Sequence, residues 1–178
     1  MPTIVVPNDT QSINWKTLRE ALRNCIVTAL GGVDCKAVVY SNWPLKYDIE
    51  QTIRLLKSDA DSGRVHAWMV GINSANPELN KLGGNNTLQW KLNVRIWGFI
   101  GLDSTFSGET TSTIEEEIQL ITKTILVNSK HFGMSATQGL KTYGIIDWND
   151  IDVASFGDGS DVIVAQGEME IDIQEFYS

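Results

Sequence analysis

The first clear pattern along the chain is a stripe of apolar residues spaced three and four positions apart. Its members are Trp15, Leu18, Leu22, Cys25, Ile26 and Ala29. Residues at this spacing share one face of a helix, so the stripe predicts a helix over 15–30. Gly31 and Gly32 follow it, and glycine readily takes the positive φ that ends many helices.

Strict alternation of apolar and polar residues predicts the strands. It is strongest over 88–96, and it recurs over 163–174 near the end of the chain. In the latter strand the inward positions are Ile163, Ala165, Met169, Ile171 and Ile173. Shorter segments rich in β-branched residues predict further strands at 37–40, 64–73, 144–148 and 151–156.

Two more helices are predicted from capping patterns. Asp48 and Gln51 resemble a capping pair at the start of a helix that reaches about residue 56. Thr113 and Glu116 stand at capping-box spacing, which predicts a helix over 113–127 with three glutamates, residues 115–117, in its first turn.

Small polar residues with proline and glycine predict loops at 73–86 and 103–111. The sequence predicts no long hairpin. The element order then favours an α+β fold, with a mainly antiparallel β-sheet and two or three α-helices packed on one face. We expect a single domain over 1–178, because a chain of this length buries a sizeable core.

The net charge and the cysteine content of the chain argue against a nucleic-acid-binding protein and against a disulfide-rich protein. The formal net charge is -8, whereas nucleic-acid binders need clustered Lys and Arg, so DNA is not an expected ligand. Cys25 and Cys35 are too few for a disulfide framework and are expected to stay reduced. The first residues lack the pattern of a secretory signal, and no apolar run is long enough for a membrane span.

Residues that could carry chemistry are scattered. His66 and His131 have no neighbouring ligand at metal-binding spacing, so structural or surface roles are expected for both. The sequence contains no nucleophile-elbow, zinc-protease or phosphate-loop motif. We therefore expect no enzymatic activity, no cofactor and no metal.

Two carboxylate groups allow other interpretations. Five aspartates lie close together in sequence and could hold calcium or serve a small enzyme, although their spacing does not match a calcium loop: Asp147, Asp150, Asp152, Asp158 and Asp161. The glutamates at 115–117 fit a helix start better than acid–base catalysis.

Aromatic residues stand at positions that the pattern leaves polar. Trp97 and Phe99 interrupt the polar face of the strongest strand, and Trp43 and Phe106 lie in loop settings. Exposed aromatic area of this kind marks contact with another subunit. A helix covering that face would instead make these residues core, and the sequence leaves both interpretations open.

The chain resembles the tail terminator proteins of tailed bacteriophages, also called tail completion or neck terminator proteins. The resemblance rests on LGG at 30–32, VVYSNWP at 38–44, WKLNVRIWGF at 90–99, the glutamate-rich helix that follows and the acidic closing strand over 167–176. It covers almost the whole chain in element order. The segment 46–63 departs from the family pattern as an added helical segment.

This resemblance implies a virion protein of the tail or neck, assembled in the host cytoplasm. Such proteins form a homohexameric ring that caps the tail tube, stops its polymerisation and docks the head–tail connector or neck protein, with the tail sheath as a further partner in contractile tails. On this basis we expect subunit contacts at Arg95, Trp97 and Phe99. We expect partner contacts in the loops, at Asn76, Pro77, Glu78, Asn80, Lys81, Asp103 and Phe106.

The resemblance implies binding without chemistry, and net charge suggests that an acidic ring lumen lets DNA pass. Alternatives in the same class are another head–tail connector or neck ring protein. A tail tube subunit is also in this class, but it should carry a long hairpin. The alternative from a different class is a small enzyme that uses the aspartates between Asp147 and Asp161.

Overall fold

The structure is a computed structural model of the chain and describes residues 15–42, 49–59, 63–82, 85–102, 107–128, 132, 140–155 and 161–177. Its helices are α1 (Trp15–Ala29), α2 (Ile49–Leu56) and α3 (Ser107–Val127), and a short 3-10 turn spans Gly32–Asp34. Its strands are β1 (Val38–Tyr40), β2 (Lys57–Ser58), β3 (Arg64–Leu82), β4 (Asn85–Gly101), β5 (Leu140–Ser155) and β6 (Asp161–Tyr177).

One mostly antiparallel sheet organises these elements, so the predicted α+β class is confirmed. The strand order is β1-β3-β4-β6-β5, and β2 also pairs with β3. Only β1 and β3 run parallel; β3–β4, β4–β6 and β5–β6 are antiparallel ladders. The sheet therefore has β5 at one edge and the short strands β1 and β2 at the other.

Helices α1 and α3 cover one face of this sheet, which we call the helical face. The predicted stripe of α1 is buried at Leu18, Leu22, Cys25 and Ile26. It packs with α3 on inward residues of the strands, including Val94, Ile96 and all five predicted positions of β6. Gly31, with φ 108°, ends this region in the left-handed conformation that glycine tolerates best.

Two tryptophans on the helical face need glycines beneath them. The rings of Trp68 and Trp148 meet edge to face, with centroids 5.9 Å apart. A Cβ atom at Gly98 would lie 2.6 Å from the Trp68 ring, and one at Gly167 would lie 2.8 Å from the Trp148 ring. Because glycine has no side chain, these two positions leave the space that the indole rings fill.

Two helices, α1 and α3, thus pack on one face as predicted, and helix α2 lies on the opposite face. Its Ile53 and Leu56 form a second small core with Val65, Met69 and Phe99. The Tyr40 hydroxyl donates a hydrogen bond to the carbonyl of Leu55 at 2.7 Å and ties α2 to β1. Two cores therefore sandwich the end of the sheet where β4 finishes.

The loop predicted over 73–86 was also wrong, because most of it belongs to a long β3–β4 hairpin. Residues up to Leu82 pair with β4 in antiparallel register, and the pairing shifts once, between Ile72 and Ser74. Asparagine, proline and lysine are weak strand formers, so the segment carries little strand signal of its own. Its partner β4 has a strong alternation of apolar and polar residues, and hydrogen bonding to β4 makes the segment a strand.

Two further boundaries differ from prediction. Helix α3 begins at Ser107, so 107–111 is helix rather than loop, and Glu115–Glu117 lie well inside the helix instead of capping it. The two strands predicted at 144–148 and 151–156 form one strand, β5, with register shifts between Tyr143 and Asp147 and between Trp148 and Asp150. Within the described residues, no helix is long and apolar enough to cross a membrane.

Candidate functional site

The face of the sheet opposite α1 and α3 divides into two halves. Near α2 it is apolar, and towards the tip of the β3–β4 hairpin it carries polar residues on β3, β4, β5 and β6. The polar half comprises Ser74, Asn76, Glu78, Gln89, Lys91, Asn93, Arg95, Asp147, Gln166, Glu168, Glu170 and Asp172. We call this surface the polar face.

Cross-strand pairs hold the polar face together. Lys91 Nζ lies 2.9 Å from Glu78 Oε1, which joins β4 to β3. Arg95 Nε lies 2.5 Å from Glu168 Oε1, and the Asn93 amide donates to the other oxygen of Glu168 at 3.3 Å. The hydrogen bonds from Asn93 and Arg95 outweigh desolvation and lower the pKa of Glu168.

The structure separates the three residues predicted for subunit contact. Phe99 is only 6% exposed in the second core beneath α2, so of the two interpretations left open by the sequence, the one in which a helix covers this residue holds. Trp97 is half-buried beside that core, and its ring lies over Gly71, where a Cβ atom would be 3.1 Å away. Arg95 alone belongs to the polar face. The subunit contact itself stays a prediction for Arg95 and Trp97.

The residues predicted for partner loops are not loop residues where the structure describes them. Asn76, Pro77 and Glu78 lie in β3, as does the backbone of Asn80 and Lys81. Pro77 fits this place, because the part of β3 beyond β1 is an edge of the described sheet. Asp103 and Phe106 lie outside the described residues, as do Trp43 and His131.

A second polar arrangement lies under the helical face. The carboxylate of Glu117, in α3, reaches into the sheet and bonds two side chains of β3. His66 Nε2 lies 2.9 Å from one oxygen, and Trp68 Nε1 donates to the other at 2.7 Å. His66 is buried, as the structural interpretation of this residue predicted.

The Glu117 carboxylate lines a cavity of about 350 Å³, at the end of α1. The other lining residues are Leu30, Asp34, Lys36, Ala37, Arg64, His66 and Thr113. A carboxylate that orients a histidine can serve acid–base chemistry. Here both Glu117 oxygens accept ring N–H groups of one strand, an arrangement that fixes α3 on β3.

No sequence motif shows that Glu117, rather than its two glutamate neighbours, bonds the side chains of β3. Its partners His66 and Trp68 lie 51 and 49 residues away. Apolar residues of α3 at 114, 121 and 125 define the buried stripe, and position 117 borders that stripe on a helix. The position of Glu117 beside the buried stripe of the helix is therefore the one sequence signal that distinguishes it from Glu115 and Glu116.

The structure describes four of the five aspartates of the alternative interpretation. Asp147, Asp150 and Asp152 succeed one another along β5, and the Asp152 carboxylate accepts a hydrogen bond from the backbone of Val153 at 2.8 Å. Asp158 lies outside the described part of the chain. Within that part, no three His, Cys, Asp or Glu side chains are close enough to hold a metal ion.

Both cysteines are free thiols, as the sequence predicted. Burial raises the pKa of the Cys25 thiol to about 11 and also raises the pKa of Cys35. Nucleophilic cysteines need a lowered pKa, so neither has the character of a reactive centre.

Comparison of the chain with models of protein families yields no match, and comparison with curated proteins yields no significant relative.

Proposed function

We propose that the chain is a structural virion protein of the tail terminator type. It forms a ring on the end of a phage tail tube, ends tube growth and offers a docking surface to the head–tail connector or neck protein. The proposal rests on the resemblance of the sequence to tail terminator proteins, and it requires the protein to bind its partners but not to catalyse a reaction.

The observation that carries this proposal is the polar face. It spans β3, β4, β6 and β5, and its charged side chains bond one another across strands, as in the pair Arg95–Glu168. Such a surface is polar and tied together by its own side chains, and it spans four strands. It suits a scaffold that meets a partner or lines a water-filled channel, whereas an enzyme needs convergent reactive groups in a concave site.

The second candidate is a tail tube subunit, and the β3–β4 hairpin favours it. We expect a long hairpin in a tube subunit and not in a terminator, and the antiparallel strands β3 and β4 form one. The two candidates differ in what the purified chain does alone. A tube subunit polymerises into open-ended tubes, and a terminator stops at one ring.

Light scattering during tube assembly separates them. Purified chain is added to growing tail tubes of its phage, and particle size is followed over time. The proposal predicts that substoichiometric chain halts growth and that the chain alone makes no tube. Unchanged growth contradicts the terminator role, and tubes formed by the chain alone establish the tube-subunit role instead.

A further inference from the structure

The polar face carries more negative than positive charge. Five of its residues are carboxylates, and Lys91 and Arg95 are its cations. Lys141 stands opposite Asp172 in the β5–β6 register. Even with Lys141 counted, the carboxylates of this surface remain in excess.

Both cations of the polar face are bonded to carboxylates of the same face. Lys91 Nζ lies 2.9 Å from Glu78 Oε1, and Arg95 Nε lies 2.5 Å from Glu168 Oε1. Each pair is neutral in sum. The negative charge that remains therefore belongs to the other three carboxylates of the face: Asp147, Glu170 and Asp172.

Two of these three carboxylates are open to a partner. Asp147 and Glu170 are exposed, and among the described residues no cation bonds either of them. Asp172 is only 3% exposed and accepts a hydrogen bond from the Gln89 side-chain amide, so it adds charge without being accessible. The polar face thus presents exposed carboxylates that the chain itself leaves without a cation.

Lys91 shows how this surface acts on a positive charge. Its pKa is raised, first by the hydrogen bond to Glu78 and by attraction to that carboxylate, and further by attraction to Asp172 and Glu170. Carboxylates of β3 and β6 therefore stabilise a cation that lies on β4 between them. A lysine or arginine of another protein placed beside Glu170 would meet the same attraction.

The extent of the polar face indicates what could cover it. It spans β3, β4, β6 and β5, and strands about 4.8 Å apart make it roughly 14 Å wide. A single small ion does not cover such a width, whereas the surface of a protein does. A second copy of the chain is disfavoured there, because each copy has a net charge of -8 and the two repel.

We propose that the polar face docks a partner protein of different sequence through a surface of that partner rich in lysine and arginine. Opposite charge on the two surfaces sets their orientation and speeds their encounter. The proposal rests on the proposed function, since such a partner is the tail component against which the ring is placed. It names the docking surface and the chemistry of that partner.

Binding of a basic peptide tests this docking surface on the full chain. The probe is a labelled synthetic peptide of alternating lysine and serine, and fluorescence anisotropy at low salt measures its affinity. The face variant is Asp147→Asn with Glu170→Gln. The control variant is Glu115→Gln with Glu116→Gln, on the exposed side of α3. Both variants remove the same charge, and thermal melting establishes that both fold.

We expect the face variant to bind the peptide about three- to tenfold more weakly than the wild type, which is the loss typical of two exposed ion pairs. The control variant should lose less than about twofold. Higher salt should weaken binding by the wild type, because screening shortens the reach of exposed charges. A wild type that does not bind the peptide, or equal losses in the two variants, overturns the proposal.

A second pair of variants predicts a change of opposite sign. In Lys91→Gln, Glu78 loses its cation, so the polar face becomes more negative and should bind the peptide more tightly. In Lys123→Gln, on the exposed side of α3, the same loss of charge should have a smaller effect. Tightening that is equal in both variants, or larger in Lys123→Gln, overturns the proposal.

The tube-growth assay separates this proposal from the proposed function. A chain that halts tube growth, but whose face and control variants bind the peptide equally, keeps its function and loses this docking surface. A chain that binds the peptide at the polar face and does not halt growth keeps the docking surface and loses the terminator role.

Discussion

At the scale of single residues, the stability of the fold depends on glycines of the helical face at which an added Cβ atom would clash with a neighbouring side chain. Gly98 is one of them. Replacing Gly98 with Ala would place a methyl group 2.6 Å from the Trp68 ring. We expect unfolding free energy to fall by about 1–3 kcal/mol, the usual cost of overpacking a core.

The matched control for that change is Gly101→Ala, on the same strand. A Cβ atom there meets its nearest neighbour, Val65 Cβ, at 3.4 Å, an ordinary contact. Urea denaturation should show a loss below about 1 kcal/mol for this variant. Equal losses at the two positions would mean that Trp68 does not lie against Gly98.

Glu117 carries the second residue-scale prediction. In Glu117→Ala the contact to His66 Nε2 is lost, and the buried Trp68 N–H loses the acceptor of its hydrogen bond, which costs about 1–3 kcal/mol. In Glu116→Ala, on the exposed side of the same helix, the change should stay within about 0.5 kcal/mol. Thermal melting of the two variants measures the difference, and similar melting points contradict the network.

Cys25 predicts how stability depends on alkaline pH. Its pKa is about 11 in the folded chain against an ordinary 9.0, so the folded state favours the protonated thiol. The stabilisation is complete below pH 9 and is lost as pH rises from 9 to 11. We expect denaturant midpoints to decline more steeply over that range in the wild type than in Cys25→Ala, and parallel declines contradict the assignment.

At the scale of elements, β3 shows what sequence patterns miss. Residues 73–82 have loop composition, yet β4 imposes a ladder on them through its own strong alternation. The start of α3 was missed for a related reason, since 107–112 is rich in Ser, Thr and Gly and resembles a loop. Local propensity predicts an element reliably only where no neighbour overrides it.

Hydrogen exchange can test the β3 assignment directly. Beyond β1, strand β3 bonds β4 on one side only, so every second amide of residues 74–78 should exchange slowly. Strand β4 pairs on both sides, so nearly all amides of 89–95 should be protected. Uniformly fast exchange over 74–78, as in a loop, contradicts the hairpin.

At the scale of the whole molecule, the fold class and the α1 and β6 core faces could be predicted from the sequence. The placement of α2 could not, because an amphipathic stripe reveals that one side of a helix is buried but not against which face of a sheet. That placement decides between the two interpretations of Phe99 and makes it a core residue. The polar face likewise emerges only when strands distant in sequence become neighbours.

The claim that the chain caps a tail tube as a ring is tested most directly by electron microscopy of tubes grown with the purified chain. The account predicts a ring-shaped density at one end of each tube and tube lengths that no longer increase when more tube protein is added. Tubes with bare ends that keep lengthening in the presence of the folded chain would contradict it.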